Sequence, residues 1–225
     1  MSMSGPGSFS LTFYQGDLSR WSDPLPPSGG GGSPRWSYLI PAIGTLAFHA
    51  KYFPKVPTGI TIAAAYFTGV LATAHVLRHY KLLIRSDRAT TLDEYYENHP
   101  IQTTVLIPIV HEIIFRDFLQ PKVAEIISST FPATARQCLK TSFSRATLIS
   151  IVGMATLQGL AQHCSNPNGS LFPPINKTCR EILYGVTAAK FGVPSAVAAH
   201  IAYNTSTTTY QRSMEWIQEK DSNGE

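Results

Sequence analysis

The sequence contains few charged residues for its length. Asp, Glu, Lys and Arg make up 14% of its 225 residues, against roughly 25% in a typical soluble domain. A soluble domain needs charged side chains to cover its surface, whereas a surface that faces lipid must avoid them. The shortage therefore favours a membrane protein. The mean hydropathy is nevertheless near zero, because a polar N-terminal region and basic loops offset long uncharged segments.

Paired cysteines and long basic runs are also missing. The three cysteines, Cys138, Cys164 and Cys179, form no C-x-x-C motif, so we do not expect a structural zinc knuckle. The net charge is +4, but the basic residues are not gathered in one run with interleaved aromatics, so we expect no nucleic-acid partner. The first ten residues hold no apolar stretch, which argues against a signal peptide there.

Composition divides the chain into three parts. Residues 1–36 are rich in Gly, Ser and Pro, a composition that cannot bury a core, so we expect a flexible tail. Residues 37–210 hold the apolar segments and should form one membrane-embedded helical domain, followed by a polar tail at 211–225. The predicted fold is all-α, a polytopic membrane helix bundle with about 5–6 membrane-embedded helices. Its neighbours would be membrane lipids, and the sequence leaves open which membrane this is.

The apolar segments are the basis of this fold prediction. Gly59–Leu77 lacks Asp, Glu, Lys and Arg and is close to the ~20 residues that a spanning helix needs. Pro108 should kink the segment that contains it. A soluble bundle with an alanine-rich core is the alternative. The six segments are Tyr38–Phe53, Gly59–Leu77, Ile101–Leu119, Ala146–His163, Ile182–Phe191 and Pro194–Thr208. The fifth of them can begin earlier, after Pro174.

Ionisable residues inside apolar helices are costly, and three such places predict one polar site. Glu112 and Arg116 have i,i+4 spacing on one helix face, so the arginine can hold the carboxylate ionised. His163 ends an uncharged helix and can act as a general base or metal ligand. His200 and Asn204, again i,i+4, offer donors for a developing oxyanion. Singly, these are also explained by a surface salt bridge, an interfacial histidine and a helix–helix hydrogen bond.

The order of these motifs resembles the CPBP family, which comprises CAAX prenyl proteases and bacteriocin-processing proteins. The shared pattern is E-x-x-x-R, a Gly-Leu-Ala…His helix, and a glycine-containing block that ends in H-x-x-x-N. The last block matches best, with Tyr184-Gly185, then Lys190-Phe191-Gly192, then His200-x-x-x-Asn204. The resemblance covers residues 100–208, which would be the catalytic core of the domain.

The resemblance implies an intramembrane endopeptidase that cleaves prenylated C-terminal or other membrane-associated peptides. In that family a glutamate and a histidine activate a water, and the H-x-x-x-N pair stabilises the oxyanion. By position, Glu112 matches the second glutamate of the family's E-E-x-x-x-R and Arg116 matches its arginine. His163 matches the histidine of the middle motif, and His200 and Asn204 match the final pair.

Two departures from the family pattern affect this expectation. His111 stands where the family has its first glutamate, so either His111 or Glu112 acts as the base, or the protein is an inactive membrane scaffold or regulator. Gly159 stands where the middle motif F-x-x-x-H has its phenylalanine. If the Gly-Leu-Ala segment is matched instead, one residue is inserted before His163, which would turn it by about 100° from the family direction, one residue along a helix.

His111 also raises the possibility of a metal site. His111, Glu112, His163 and His200 offer the nitrogen and oxygen ligands that zinc accepts. A zinc ion would lower the pKa of a bound water toward neutrality. Metal-dependent and metal-free mechanisms both remain open from the sequence.

The segment between Cys164 and Cys179 bears on topology. It contains two N-x-S/T sequons, at Asn168 and Asn176. In an oxidising lumen the cysteines could form a disulfide and the asparagines could carry glycans. In a reducing compartment both features would be accidental.

Overall fold

In a computed structural model the chain is described over residues 39–80, 101–136, 143–165 and 172–223. The described residues form helices and no strand, which confirms the all-α prediction. The elements are α1 Leu39–Phe48, a 3-10 helix Ala50–Lys55, α2 Val56–His79, a first π-helical segment Gln102–Leu106, α3 Ile107–Glu112, a second π-helical segment Ile113–Leu119, α4 Gln120–Thr130, a 3-10 helix Pro132–Ala135, α5 Arg145–Ser165, α6 Phe172–Phe191 and α7 Val193–Asn223.

The predicted segments all correspond to helices, with differences at their ends. The helix predicted at Ile182–Phe191 begins at Phe172, close to the earlier start that was left open after Pro174, and its first half carries buried charges. Residues 211–223, predicted as part of a polar tail, continue α7. The predicted tail at 1–36 lies outside the described residues. Pro108 lies in the first turn of α3, where a missing N–H is tolerated, and the kink expected there stays a prediction.

Two close helix pairs form the framework. α7 packs along α2, and α5 packs along α6, while α6 and α7 also contact each other. Glycines permit the close approach in both pairs. A Cβ at Gly59 would overlap the carbonyl oxygen of Ser195, and a Cβ at Gly159 would overlap the hydroxyl of Thr178. The backbones therefore come closer than a larger residue at either glycine would allow.

The turn between α6 and α7 depends on Gly192. Its φ is +91°, a conformation that is cheap only for glycine. Its N–H donates to the carbonyl oxygen of Ala188 at 2.8 Å, which ends α6 in the way typical of helix C-termini. A Cβ there would also lie 2.7 Å from Cβ of Tyr52. This turn sets the direction in which α7 runs back past α6.

Residues 101–130 form one helical stretch in which the winding changes. Two wider π-helical segments flank the short α3, and α3 ends with His111 and Glu112. π-helical turns are rare and often coincide with functional sites. The candidate site therefore begins on the most irregular helix of the described chain.

Polar and apolar side chains are distributed in the opposite way to a soluble protein. Large apolar side chains are exposed, including Phe48 at 88%, Leu157 at 67% and Phe118 at 64%. Among the described residues, one helical stretch, Ala50–Leu77, is long and apolar enough to cross a membrane, with a hydropathy of 1.7. Charged and polar groups are buried instead, including His111, Glu112, Arg116, Gln120, Asn176, Lys177, Arg180, Glu181, His200 and Asn204.

Candidate functional site

Glu112 lies at the centre of the buried polar groups. Its Oε1 is 2.7 Å from Nδ1 of His200 on α7 and 3.2 Å from Nδ1 of the adjacent His111. The side chains of Glu112 and His200 are fully buried. Since an ionised carboxylate only accepts hydrogen bonds, Nδ1 of His200 is the donor in this contact. Because Nδ1 carries the hydrogen in this contact, Nε2 of His200 is the ring nitrogen that can take up a proton.

Arg116 holds the other oxygen of the Glu112 carboxylate. Nε of Arg116 donates to Oε2 of Glu112 at 3.2 Å, and both side chains are fully buried. The i,i+4 pairing expected from the sequence is therefore present, and its simpler interpretation as a surface salt bridge is wrong. An arginine at this distance in a water-poor interior favours the charged carboxylate.

The guanidinium of Arg116 also contacts α6. Its Nη2 donates to Oε2 of Glu181 at 2.5 Å and to the carbonyl oxygen of Glu181 at 2.9 Å. The second carboxylate oxygen of Glu181 is 3.0 Å from Nζ of Lys177. Sequence analysis missed Glu181 and Lys177. The signal that could have found them is their i,i+4 spacing on a helix for which a start after Pro174, ahead of both residues, was an open alternative.

Aromatic rings enclose the two histidines. The ring of Tyr184 stacks on His200 with centroids 4.6 Å apart, and His111 stacks on Phe115 at 4.4 Å. The rings of His111 and His200 meet edge to face at 5.4 Å. The Tyr184 hydroxyl is buried and has no hydrogen-bond partner among the described residues. The enclosure keeps bulk water from the carboxylate, so electrostatic interactions there are strong.

Asn204 lies on the same face of α7 as His200, one turn later. Its Nδ2 donates to the carbonyl oxygen of Thr103 at 3.4 Å, and its Oδ1 is buried with no partner in the part of the chain that the structure describes. This contact with Thr103 is a helix–helix hydrogen bond, as the simpler interpretation of Asn204 predicts. The side chain is close to the site, and its role as an oxyanion donor stays a prediction.

His163 is placed differently from the other predicted residues. It is half-buried near the end of α5, and its Nδ1 is buried with no hydrogen-bond partner within residues 39–80, 101–136, 143–165 and 172–223. Gly159 and Gln162 are the buried positions of this turn, and Gly159 faces α6. His163 does not belong to the histidine–glutamate cluster around Glu112. The structure thus brings together His111, Glu112, Arg116 and His200, with Asn204 beside them.

A metal ion could be held by three of the predicted ligands. Within the described parts of the chain, the ligand atoms of His111, Glu112 and His200 all lie within 4.8 Å of one another. Two histidines and a glutamate are a common protein ligand set of catalytic zinc, which keeps a further position for water. The residues present therefore fit a zinc ion by type and by proximity, with His163 outside the set.

Two of the luminal features considered for the segment between the cysteines, the disulfide and the Asn176 sequon, can be compared with the described residues. Cys164 and Cys179 are both free and exposed, so the disulfide considered from the sequence is not formed. Asn176 is buried, accepts a hydrogen bond from the Tyr66 hydroxyl at 2.7 Å and donates to the Tyr203 hydroxyl at 3.2 Å. A glycan could not be attached to it in the folded protein. Asn168 lies outside the described residues.

No protein-family model, no curated protein and no solved structure matches this chain. The resemblance to the CPBP family therefore rests on the motifs, and we carry it forward as a proposal.

Proposed function

We propose that this protein is an intramembrane endopeptidase of the CPBP type that cleaves prenylated C-terminal or other membrane-associated peptides. The observation that carries the proposal is the 2.7 Å contact between Nδ1 of His200 and Oε1 of Glu112, both fully buried. A carboxylate paired with a histidine is a suitable unit for taking a proton from water and returning it to a leaving group. Buried titratable groups that share partners are candidates for catalysis.

The membrane location is part of the proposal, and the inverted distribution of side chains supports it. Within the described ranges, one stretch, Ala50–Leu77, meets the length and hydropathy of a membrane span by itself. α6 and α7 are less apolar because they carry inward polar groups such as Glu181, His200 and Asn204. In a membrane, ionisable residues face the bundle interior and pair with one another, as these do. We therefore propose a polytopic bundle with exposed apolar faces toward lipid.

The proposed reaction is peptide-bond hydrolysis. The oxygen of a water attacks the scissile carbonyl carbon, and its proton passes to the Glu112–His200 pair, with His111 as the alternative acceptor. In the proposed reaction the amide of Asn204, one turn after His200 on α7, donates to the oxyanion of the tetrahedral intermediate. The proton then moves to the leaving amine as the C–N bond breaks. Arg116 keeps Glu112 charged and oriented throughout.

Zinc is the proposed cofactor of the metal-dependent variant of this reaction. His111, Glu112 and His200 would hold it, and it would supply a water with a pKa near neutrality.

A non-catalytic scaffold or regulator on the same fold is the second candidate. The observation that favours it is that both oxygens of Glu112 are already engaged, by the two histidines on one side and by Arg116 on the other. His111 also stands at the first-glutamate position of the family motif. A carboxylate with both oxygens hydrogen-bonded could stabilise the helix bundle without taking part in catalysis.

Cleavage of a peptide panel distinguishes the two candidates. Prenylated and plain membrane peptides are incubated with the purified protein, with and without a chelator, and products are identified by mass spectrometry. The matched variants are Glu112→Ala, His200→Ala and, as a control, Glu125→Ala at an exposed glutamate. We expect cleavage by the wild type and the control, and its loss in the other two. Equal cleavage by all four proteins would refute the proposed mechanism.

A further inference from the structure

We infer that Glu181 is a positioning residue for Glu112 and acts on it through Arg116. The inference rests on the proposed function and adds to it a residue that belongs to none of the matched motifs. Glu181 comes from α6, whereas Glu112 and Arg116 come from the helical stretch 101–130. All three side chains are fully buried.

The hydrogen bonds of Arg116 show how the coupling works. Three of its nitrogens are engaged, with Nε directed to Glu112 at 3.2 Å, Nη1 to Oε1 of Gln120 at 3.3 Å and Nη2 to Glu181. The contact with Glu181 is double, since Nη2 meets both its carboxylate and its backbone carbonyl. A guanidinium is planar and rigid, so fixing one end of it fixes the direction of the others. Glu181 therefore determines where Nε of Arg116 meets Glu112.

Charge alternates along this series from α6 to α3. Lys177 contacts Oε1 of Glu181, Oε2 of Glu181 contacts Arg116, and Arg116 contacts Oε2 of Glu112. The other oxygen of the Glu112 carboxylate, Oε1, is contacted by His200 and His111. Without the Glu181 charge, Arg116 would have a single carboxylate partner and could draw Glu112 away from His200. A displacement of about 1 Å in an active site can reduce a rate about 100-fold.

The test compares Glu181→Gln, Glu181→Asp and the exposed control Glu125→Gln in the full-length protein. With a cleavable peptide, we expect Glu181→Gln to lower kcat about 100-fold while KM stays within about threefold, because substrate contacts are unchanged. Glu181→Asp keeps the charge and should recover about tenfold of that loss. The control should match the wild type. A purely structural role would lower the melting temperature and leave kcat unchanged below it.

A second readout does not require catalysis. Histidine labelled with ¹⁵N gives ring-nitrogen resonances, and the His200 signal is assigned by its loss in His200→Gln. We expect the His200 resonance to shift in Glu181→Gln and to stay in place in Glu125→Gln. If the wild type cleaves no peptide while this shift occurs, the proposed function fails and the positioning role stands. An unchanged His200 resonance with an unchanged kcat overturns the inference, and if Glu181→Gln does not fold, the same pair of results in Glu181→Asp decides it.

Discussion

Glu112 and His200 lie 88 positions apart in the sequence, yet Oε1 of one is 2.7 Å from Nδ1 of the other. The contact joins α3 to α7 in the interior, where both side chains are fully buried. A buried pair of this kind is costly to break, because the remaining partner is left charged or polar without compensation. The contact is thus a structural link between two helices as well as the centre of the proposed chemistry.

We expect Glu112→Ala and His200→Ala to be strongly non-additive in stability. Glu112→Ala should lower the free energy of unfolding by about 3–5 kcal/mol, because Arg116 and the two histidine rings each lose a buried hydrogen-bond partner. The double variant should cost at least about 1 kcal/mol less than the sum of the single ones. Denaturant unfolding in detergent measures this. The exposed pair Lys122–Glu125 provides a comparison cycle with much weaker coupling, and equal coupling in both cycles would contradict the prediction.

The two glycines of α5 provide a matched test of helix packing. A Cβ at Gly159 would overlap the Thr178 hydroxyl and lie 2.8 Å from the carbonyl oxygen of Pro174, whereas one at Gly153 meets nothing within 4 Å. Gly159→Ala should therefore destabilise the protein by about 1–3 kcal/mol. Gly153→Ala should stabilise it by about 0.5–1 kcal/mol, since alanine is the better helix former. Thermal unfolding of both variants measures this, and equal effects would disprove the α5–α6 contact.

Variants of Tyr184 test whether its ring or its hydroxyl contributes to the stability of the protein. The ring stacks on His200, and the hydroxyl is buried without a hydrogen-bond partner in the described part of the chain. Tyr184→Phe keeps the ring and removes an unpaired polar group, so stability should stay within about 0.5 kcal/mol or increase. Tyr184→Ala should cost about 3–5 kcal/mol through lost packing. Unfolding curves compare the two, and a large loss in Tyr184→Phe would show that its hydroxyl has a partner in solution.

Sequence reasoning reached the parts of the site that depend on spacing within one helix. The pairs Glu112–Arg116 and His200–Asn204 follow from i,i+4 geometry, and their helices were identified by their apolar residues. Glu181 was missed for the opposite reason. Its charge and those of its neighbours interrupted the apolar pattern, although they point inward, and which charges meet across helices is decided by packing. The position of His163, which lies outside the cluster around Glu112, also depends on how α5 packs against its neighbours.

Metal binding should raise stability if the three ligands act together. Zinc at 100 times its dissociation constant should stabilise the folded protein by about 2.7 kcal/mol, seen as a higher melting temperature that a chelator reverses. His111→Gln and His200→Gln should lose the shift. His75→Gln, at an exposed histidine on α2, should keep it. A shift that survives in all three variants would place the metal elsewhere.

The exposed apolar face of α5 tests the membrane location. Leu157 is 67% exposed, so in water Leu157→Lys would have little effect on the fold. At the centre of a membrane helix, the same change should cost about 2.5–3.5 kcal/mol of insertion free energy. Insertion into microsomes or bacterial membranes measures this, with Leu157→Ile as the apolar control. Equal insertion of both variants would argue that α5 does not face lipid.

The second π-helical segment, Ile113–Leu119, has an evolutionary consequence. A π-helical turn holds about one more residue than an α-helical turn, so it marks a place where the helix can absorb an insertion. Deleting one residue of this segment beyond Arg116 would let the stretch return to regular α-helix, because the wider turn is what holds the extra residue. The residues on either side, Glu112 before it and Gln120 after it, would keep their directions. Homologous chains that are one residue shorter in this interval should therefore be able to keep the site, so alignments of relatives should allow a one-residue gap here.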